Sequence, residues 1–152
     1  MKSKLAAAID AAVRVAEVRG ILKLAAHTKM AITYVPLAKM LGLFAGGSEL
    51  AGLLGEIQEE CYQNGTPILT SLVIKVNLGV PGPGYFSHLR SLGIEIGPSA
   101  KEEFEYWLGQ MELLGVPLTQ EALEWARSFG VVVPAHLGGS PPPAAPSVAV
   151  NA

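Results

Sequence analysis

Apolar residues recur at steps of three and four along much of this chain, which is the spacing that places them on one face of an α-helix. The pattern predicts a long N-terminal helix over residues 4–26 and two C-terminal helices within residues 100–129. Ser99 and Glu102 have the spacing of a capping box at the start of the second group, and Thr119 can cap the last helix. In the N-terminal helix the apolar positions cover more than one face, which favours deep burial or contact with a second subunit.

The middle of the chain contains the signals of two further helices joined by a glycine turn. Pro36 suits the first turn of a short helix, and Gly42 suits its C-terminal cap. Residues 44–47 then form a glycine-containing turn, after which Ser48 is placed to cap a longer helix. The Asn-Gly pair at residues 64–65 predicts the end of this third helix.

After the third helix, the pattern changes to one that favours extended structure. Residues 68–76 are typical of a strand, with Ile68, Leu72, Ile74 and Val76 on one side. Two prolines and three glycines follow within residues 77–86 and predict a hairpin tip or an extended wing. Periodicity leaves open whether residues 86–92 form a short helix or the returning strand. Residues 131–134 are a candidate edge strand.

These elements predict one domain over residues 1–139 that is mainly α with a small β-hairpin, an α+β fold. The order within residues 32–86 is that of a winged helix-turn-helix, to which the N-terminal and C-terminal helices are added. A chain of 152 residues, 50% hydrophobic, is long enough for one core and short for two. Residues 140–152, rich in Pro and Ala and without charge, predict a disordered tail.

The third helix carries a charge that does not suit contact with DNA. Between residues 48 and 63 it has four glutamates and no Lys or Arg, whereas a groove-reading helix offers cations to phosphate. The opposite face is apolar, so the acidic face is expected to be exposed. We therefore predict a protein partner that contacts this face and an aromatic anchor on the wing. The interaction residues are Glu49, Glu56, Glu59, Glu60, Tyr85 and Phe86.

Positive charge is concentrated at the N-terminal end. Residues 1–43 hold seven Lys or Arg and two acids, whereas residues 44–152 hold four and eleven. Such asymmetry fits two solvated faces, head-to-tail self-association, or a basic surface for an anionic partner. The last of these gives the alternative function, a DNA-binding protein or transcriptional regulator. Its nucleic-acid-binding residues would be Lys2, Lys4, Arg14, Arg19, Lys23, Lys29, Lys39, Lys75 and Arg90.

Residues that could carry chemistry form no recognisable set. Cys61 falls on the apolar face of the third helix and is interpreted as a buried packing residue. The three histidines are far apart, so no metal-ligand spacing is present, and His88 is read as a solvated loop residue rather than a base. Trp107 and Trp125 are interpreted as core, so no small-molecule pocket is predicted. We expect no catalytic residue, no metal and no cofactor.

Location and assembly follow from what interrupts the apolar segments. No apolar run approaches the roughly 18 uncharged residues that span a bilayer. Asp10, Arg14 and Glu17 interrupt the segment that a signal peptide would need to keep apolar. We therefore expect a cytoplasmic protein, without contact with a membrane, that forms a homodimer through its first helix.

A family resemblance rests on residues 33–42, Thr-Tyr-Val-Pro-Leu-Ala-Lys-Met-Leu-Gly, followed by a helix, by Gly-Thr-Pro at residues 65–67 and by an apolar strand. This order resembles the winged-helix domain of the alkylguanine-DNA alkyltransferase and alkyltransferase-like family over residues 32–86. The resemblance implies the scaffold alone. Ile-Leu-Thr-Ser at residues 68–71 stands where that family has Pro-Cys-His-Arg, and the recognition helix has no Arg finger. The segment is also similar to small uncharacterised prokaryotic and phage-type proteins, which implies no activity.

The sequence therefore favours a non-enzymatic, winged-helix interaction module with a regulatory role that binds a protein partner. The DNA-binding protein described above is the alternative. The third possibility is an enzyme with a cryptic site. It ranks below the other two because no nucleophile and base, metal set or cofactor loop is visible in the sequence.

Overall fold

The computed structural model describes residues 3–44 and 46–140, and within them it contains six α-helices and two strands. The predicted tail beyond Ser140, Lys2 of the predicted basic set and Ala45 of the predicted turn lie outside the described residues. The helices are α1 Lys4–His27, α2 Tyr34–Leu41, α3 Ser48–Asn64, α4 Pro83–Ser91, α5 Ala100–Leu114 and α6 Gln120–Phe129. The strands are β1 Ile32–Thr33 and β2 Val73–Ile74, and two 3-10 helices cover Leu69–Leu72 and Ala135–Leu137.

The helical part of the prediction is confirmed, and the fold is an α-rich α+β fold. The capping box is present, because the Ser99 hydroxyl accepts from the N–H of Glu102 and the Glu102 carboxylate accepts from the N–H of Ser99. Thr119 caps α6 through the N–H of Ala122. The predicted cap of α3 is wrong by one residue, since Gly47 is the N-cap and Ser48 the first helical residue.

The β part of the prediction is wrong, because the two strands pair in parallel and do not form a hairpin. Ile32 lies opposite Val73, and Thr33 opposite Ile74. Of the predicted strand, residues 68–76, only Val73–Ile74 is a strand, and Leu69–Leu72 is a 3-10 helix. The predicted alternation fails in this segment, because Ser71 is fully buried whereas Val76 is 66% exposed. Burial of Ser71 is possible because its polar groups have partners inside the protein, as described below.

The predicted hairpin tip is instead a tight turn followed by a helix. The N–H groups of Leu78 and Gly79 both donate to the carbonyl of Lys75. Gly79 has φ +70°, and a Cβ there would lie 2.2 Å from the Thr119 hydroxyl, so no other residue fits. α4 then begins at Pro83, a position where proline is favoured because its missing N–H would have no helical acceptor. The candidate edge strand at residues 131–134 is also absent from the described chain.

The 3-10 helix Leu69–Leu72 lies at the centre of the molecule, in contact with α1, α3 and α5. α1 covers it with Val15, Val18 and Leu22, and α5 contributes the fully buried Trp107. The helices α2, α3 and α4, together with the turn after β2, enclose a cleft. Within residues 3–44 and 46–140, no helix combines the length and the apolar character needed to cross a membrane.

Candidate functional site

A cleft of about 1000 Å³ opens between the start of α2, the middle of α3, the turn after β2 and the start of α4. Its volume is at the upper end of the ~300–1,000 Å³ typical of small-molecule sites. The walls are largely apolar and come from Val35, Pro36, Ala51, Leu54, Val76 and Leu78. The polar side chains that line it are Thr33, Tyr34, Gln58, Thr70, Lys75, Tyr85 and His88.

One polar group of the cleft is the side chain of His88, which α4 places across α3. Its Nδ1 lies 2.6 Å from Gln58 Oε1, and Gln58 Nε2 donates to the carbonyl of Tyr85 at 3.4 Å. Because an amide oxygen only accepts, His88 Nδ1 must donate, which leaves Nε2 as an acceptor on the neutral ring. A Cβ at Gly55 would lie 3.3 Å from that Nε2, so the absence of a side chain at position 55 leaves room for the His88 ring.

A second polar group gathers around Gly82, the N-cap residue of α4. Its N–H donates to the Tyr34 hydroxyl at 3.2 Å. A Cβ at Gly82 would lie 3.3 Å from Lys75 Cε and 3.6 Å from the same hydroxyl, so these two side chains converge there. Burial raises the pKa of Tyr34 above its ordinary value, so the hydroxyl keeps its proton and remains a donor.

The third polar group is the hydroxyl of Thr70, which has no hydrogen-bond partner among the described residues. Thr70 is only 3% exposed and lines the cleft. A buried hydroxyl without a partner destabilises a protein by about 1–3 kcal/mol, and such groups are rare in folded chains. Thr70 is therefore the residue of the cleft that most clearly lacks a partner.

The acidic residues predicted to bind a protein partner do not form one free surface. Glu49, Glu56 and Glu59 are exposed on α3. Glu60, by contrast, accepts two hydrogen bonds from the Arg19 guanidinium, at 2.7 and 2.6 Å. These bonds lower the pKa of the Glu60 carboxyl. A predicted acidic residue and a predicted basic residue thus neutralise each other between α3 and α1.

The other two arginines of the predicted basic set are also engaged within the chain. Arg14 donates to the carbonyl of Leu41 at 2.9 Å and lies 3.5 Å from Glu49. Arg90 pairs with Glu103 at 2.8 Å and donates to two backbone carbonyls. The exposed members of the set in the described chain are Lys4, Lys23, Lys29, Lys39 and Lys75. Of these only Lys75 lines the cleft.

The prediction that Tyr85 and Phe86 anchor a partner from the wing is wrong. Each is only 6% exposed, because α4 turns both rings into the core. The rings meet edge to face with centroids 4.8 Å apart, and the Tyr85 hydroxyl lies 2.6 Å from Ser71 Oγ. Burial raises the pKa of Tyr85 well above its usual range. These side chains stabilise the fold under the cleft.

Sequence reasoning missed most of the cleft. Tyr34, Gln58 and Thr70 were not singled out, because each is an ordinary residue in its own segment and only folding brings them together. The expectation that His88 is a solvated loop residue is wrong, because its ring is partly buried on α4 and bonded to Gln58. The interpretation of Cys61 and Trp107 as core is confirmed, whereas Trp125 is 40% exposed.

Two further observations concern metal binding and similarity to known proteins. Among the described residues, no group of three or more His, Cys, Asp or Glu side chains is placed to hold a metal ion. No protein-family model, no curated protein and no solved structure matches the chain.

Proposed function

We propose that this protein is a non-enzymatic binding module whose cleft between α2, α3 and α4 holds a small, largely apolar molecule. The observation that carries this proposal is the buried Thr70 hydroxyl, which lines an apolar cleft and has no partner in the described chain. A ligand with one hydrogen-bonding group would satisfy it. The unused Nε2 of His88 supports the same conclusion.

The polar groups of the cleft support binding more than catalysis. Among the described residues that line it, none is Asp, Glu, Ser or Cys. His88 is oriented by the Gln58 amide rather than by a carboxylate, unlike the histidine of a catalytic triad. In the described chain no hydrogen bond joins His88 to a Thr, Tyr or Lys side chain of the cleft, which supports binding over nucleophilic catalysis.

The order of elements along the chain supports part of the helix-turn-helix hypothesis. α2, a turn and α3 follow one another as the sequence suggested, with α4 in the place expected for the wing. Contact with a basic protein through Glu49, Glu56 and Glu59 stays a proposal, which their exposure supports. The cleft is favoured as the primary site because it has both enclosed volume and unpartnered polar groups.

Nuclear magnetic resonance with two uncharged apolar probes, 1-decanol and 1-naphthol, tests the cleft. We expect the amide signals of Gly55, Gly82 and Gly84 to shift on titration, since these residues line it. Ala51→Trp adds a large side chain to the wall and should abolish the shifts. Leu113→Trp, at an exposed position of α5, is the matched control and should leave them unchanged. Equal binding by Ala51→Trp, or no binding of either probe by the wild type, contradicts the proposal.

A second proposal concerns α1, which has an apolar face on each side. Val15, Val18 and Leu22 are buried, whereas Leu5, Ile9, Val13 and Leu24 are half or more exposed on the opposite face. Gly20 lies in the same stripe, and a Cβ there would meet no atom within 4 Å. We propose that this face pairs antiparallel with α1 of a second copy.

The spacing of side chains supports this pairing. When residue 5 of one copy lies opposite residue 24 of the other, Ile9 meets Gly20 and Val13 meets Ala16, so large side chains lie against small ones. Sedimentation equilibrium should show a dimer that Ile9→Glu dissociates. Ala7→Glu, two residues away on another face, should not affect it. A wild-type monomer at all concentrations would show that the face is not used in this way.

A further inference from the structure

The cleft has an uneven distribution of charge. Lys75 is the one Lys or Arg among its described lining residues, and no Asp or Glu is present there. Lys75 has no ion pair in the described chain. Its backbone is fixed by the turn after β2, because its N–H donates to the carbonyl of Val80 and its own carbonyl accepts from Leu78 and Gly79. One end of an otherwise apolar site therefore carries an unneutralised positive charge.

Two further donors lie at the same end. The Tyr34 hydroxyl accepts from the N–H of Gly82, and its own proton has no acceptor in the part of the chain that is described. Gly84 also lines the cleft as the second residue of α4, and the first N–H groups of a helix lack helical acceptors. A helix N-terminus of this kind favours negative charge. Lys75, Tyr34 and the start of α4 therefore form one anion-binding corner.

The rest of the cleft has a different character. Leu54, Val76 and Leu78 supply apolar surface, and His88 Nε2 offers an acceptor. The buried Thr70 hydroxyl, which has no hydrogen-bond partner among the described residues, lines the same cleft and is the independent observation that points to a ligand. A cation would be repelled by Lys75, and a fully apolar ligand would leave the donors at the corner unused.

We infer that the ligand of the cleft is an apolar monocarboxylate, and this inference rests on the proposal above that the cleft is a ligand site. The carboxylate accepts from the Lys75 ammonium and from the Tyr34 hydroxyl, which lies beside the start of α4. The apolar body extends along α3, and one polar group on it is the partner of the Thr70 hydroxyl. Two donors from two side chains match the two oxygens of one carboxylate. A single lysine favours one negative charge over the two of a phosphate monoester.

Isothermal titration calorimetry on the full chain, with decanoate and 1-decanol as probes of matched length, tests this inference. The pH is kept well above the range in which the carboxylic acid is protonated. Replacing Lys75 with Met should weaken decanoate binding about tenfold, and Tyr34→Phe should weaken it about threefold. In both variants the loss of affinity should be clearly larger for decanoate than for 1-decanol. Lys39→Met, an exposed lysine of α2 outside the cleft, is the control and should change neither affinity.

The outcomes separate this inference from the proposal on which it rests. If 1-decanol binds but decanoate binds no differently in Lys75→Met, the anion-binding corner is refuted and the apolar cleft stands. If neither probe binds the wild type, the proposed function itself fails. Decyl phosphate as a third probe tests the charge of the head group, and a preference for it over decanoate would overturn the assignment to monocarboxylates. Added salt should weaken the binding of decanoate and leave that of 1-decanol unchanged, and equal effects on both would count against the ion pair.

Discussion

Thr70 and Ser71 are neighbours in the same 3-10 helix and are both buried, but one is fully hydrogen bonded and the other is not. The Ser71 hydroxyl lies 2.6 Å from the Tyr85 hydroxyl, and the backbone carbonyl of Ser71 accepts a hydrogen bond from Trp107 Nε1 at 2.8 Å. The Thr70 hydroxyl has no partner in the described chain. The difference separates two regions of the molecule: a core on the side of Trp107 with paired polar groups, and a cleft on the side of Thr70 where one buried hydroxyl has no partner among the described residues.

Complete polar pairing in the core has a physical reason. Burial of a hydroxyl or an indole N–H without a partner costs more free energy than the net gain from a typical hydrogen bond, so a stable core leaves few such groups. A ligand site is exempt from this rule because the ligand supplies the partner. The contrast between Thr70 and Ser71 is therefore informative about function.

The largest effect is expected from the core side. Trp107→Ala removes a fully buried ring and the donor to Ser71, and it should lower the free energy of unfolding by about 3–5 kcal/mol. Urea unfolding followed by circular dichroism measures this change. Trp125→Ala, at a 40% exposed position, is the control and should have a clearly smaller effect. Equal losses in the two variants would show that the core is not centred on Trp107.

A smaller loss is expected when one hydroxyl of the core pair is removed. Tyr85→Phe keeps the ring but leaves the Ser71 hydroxyl without its partner, which should destabilise the protein by about 1–3 kcal/mol. Urea unfolding again measures this change. The double variant with Ser71→Ala tests the cause, since it should recover part of the loss. Additive losses would contradict a direct bond between the two hydroxyls.

On the cleft side, removal of a hydroxyl is expected to raise the free energy of unfolding rather than lower it. Thr70→Val replaces an unpartnered hydroxyl with a methyl group of similar size, and it should stabilise the ligand-free protein by up to about 1 kcal/mol. The same change should weaken binding of 1-decanol, whose hydroxyl is a candidate partner. Thermal unfolding and calorimetry measure the two effects. Destabilisation by Thr70→Val would mean that its hydroxyl is already satisfied without a ligand.

The smallest effect is expected from the surface pair of Arg19 and Glu60, which compares an exposed polar contact with the buried ones. The folded state lowers the pKa of Glu60, so this pair stabilises the protein above the ordinary glutamate pKa of about 4.3. The stabilisation is lost as the pH falls through the lowered pKa that Glu60 has in the folded protein. Because both side chains are partly exposed, the effect should be below about 1 kcal/mol. The unfolding free energies of wild type and Glu60→Gln should differ at about pH 7 and converge as the pH falls below the lowered pKa of Glu60. A difference that stays constant with pH would exclude this titration as the cause.

Much of the helical structure was predictable because its signals are local. The cap of α5 joins Ser99 to a residue three positions away, and the cap of α6 does the same from Thr119. The face of α3 that contains Cys61 could be identified from spacing alone. Pro83 could have indicated the start of α4, but two prolines among three glycines suggested a wing.

The candidate site could not be predicted in the same way. Its residues belong to five segments between positions 33 and 88. Tyr34 bonds to Gly82 across 48 positions, and Gln58 bonds to His88 across 30. Nothing in the local sequence of either member marks it as half of a pair.

The sequence by itself determined the α-rich character of this protein, the starts of α5 and α6 and the buried face of α3, because hydrogen bonds and side-chain spacing within a few residues decide them. Only the tertiary structure decided that β1 and β2 pair in parallel, that Glu60 is neutralised by Arg19, and that Tyr85 is core. It also decided that Thr70, Lys75 and His88 line one cleft. These features depend on contacts between residues far apart in the chain, and their free energy is realised only when the helices pack.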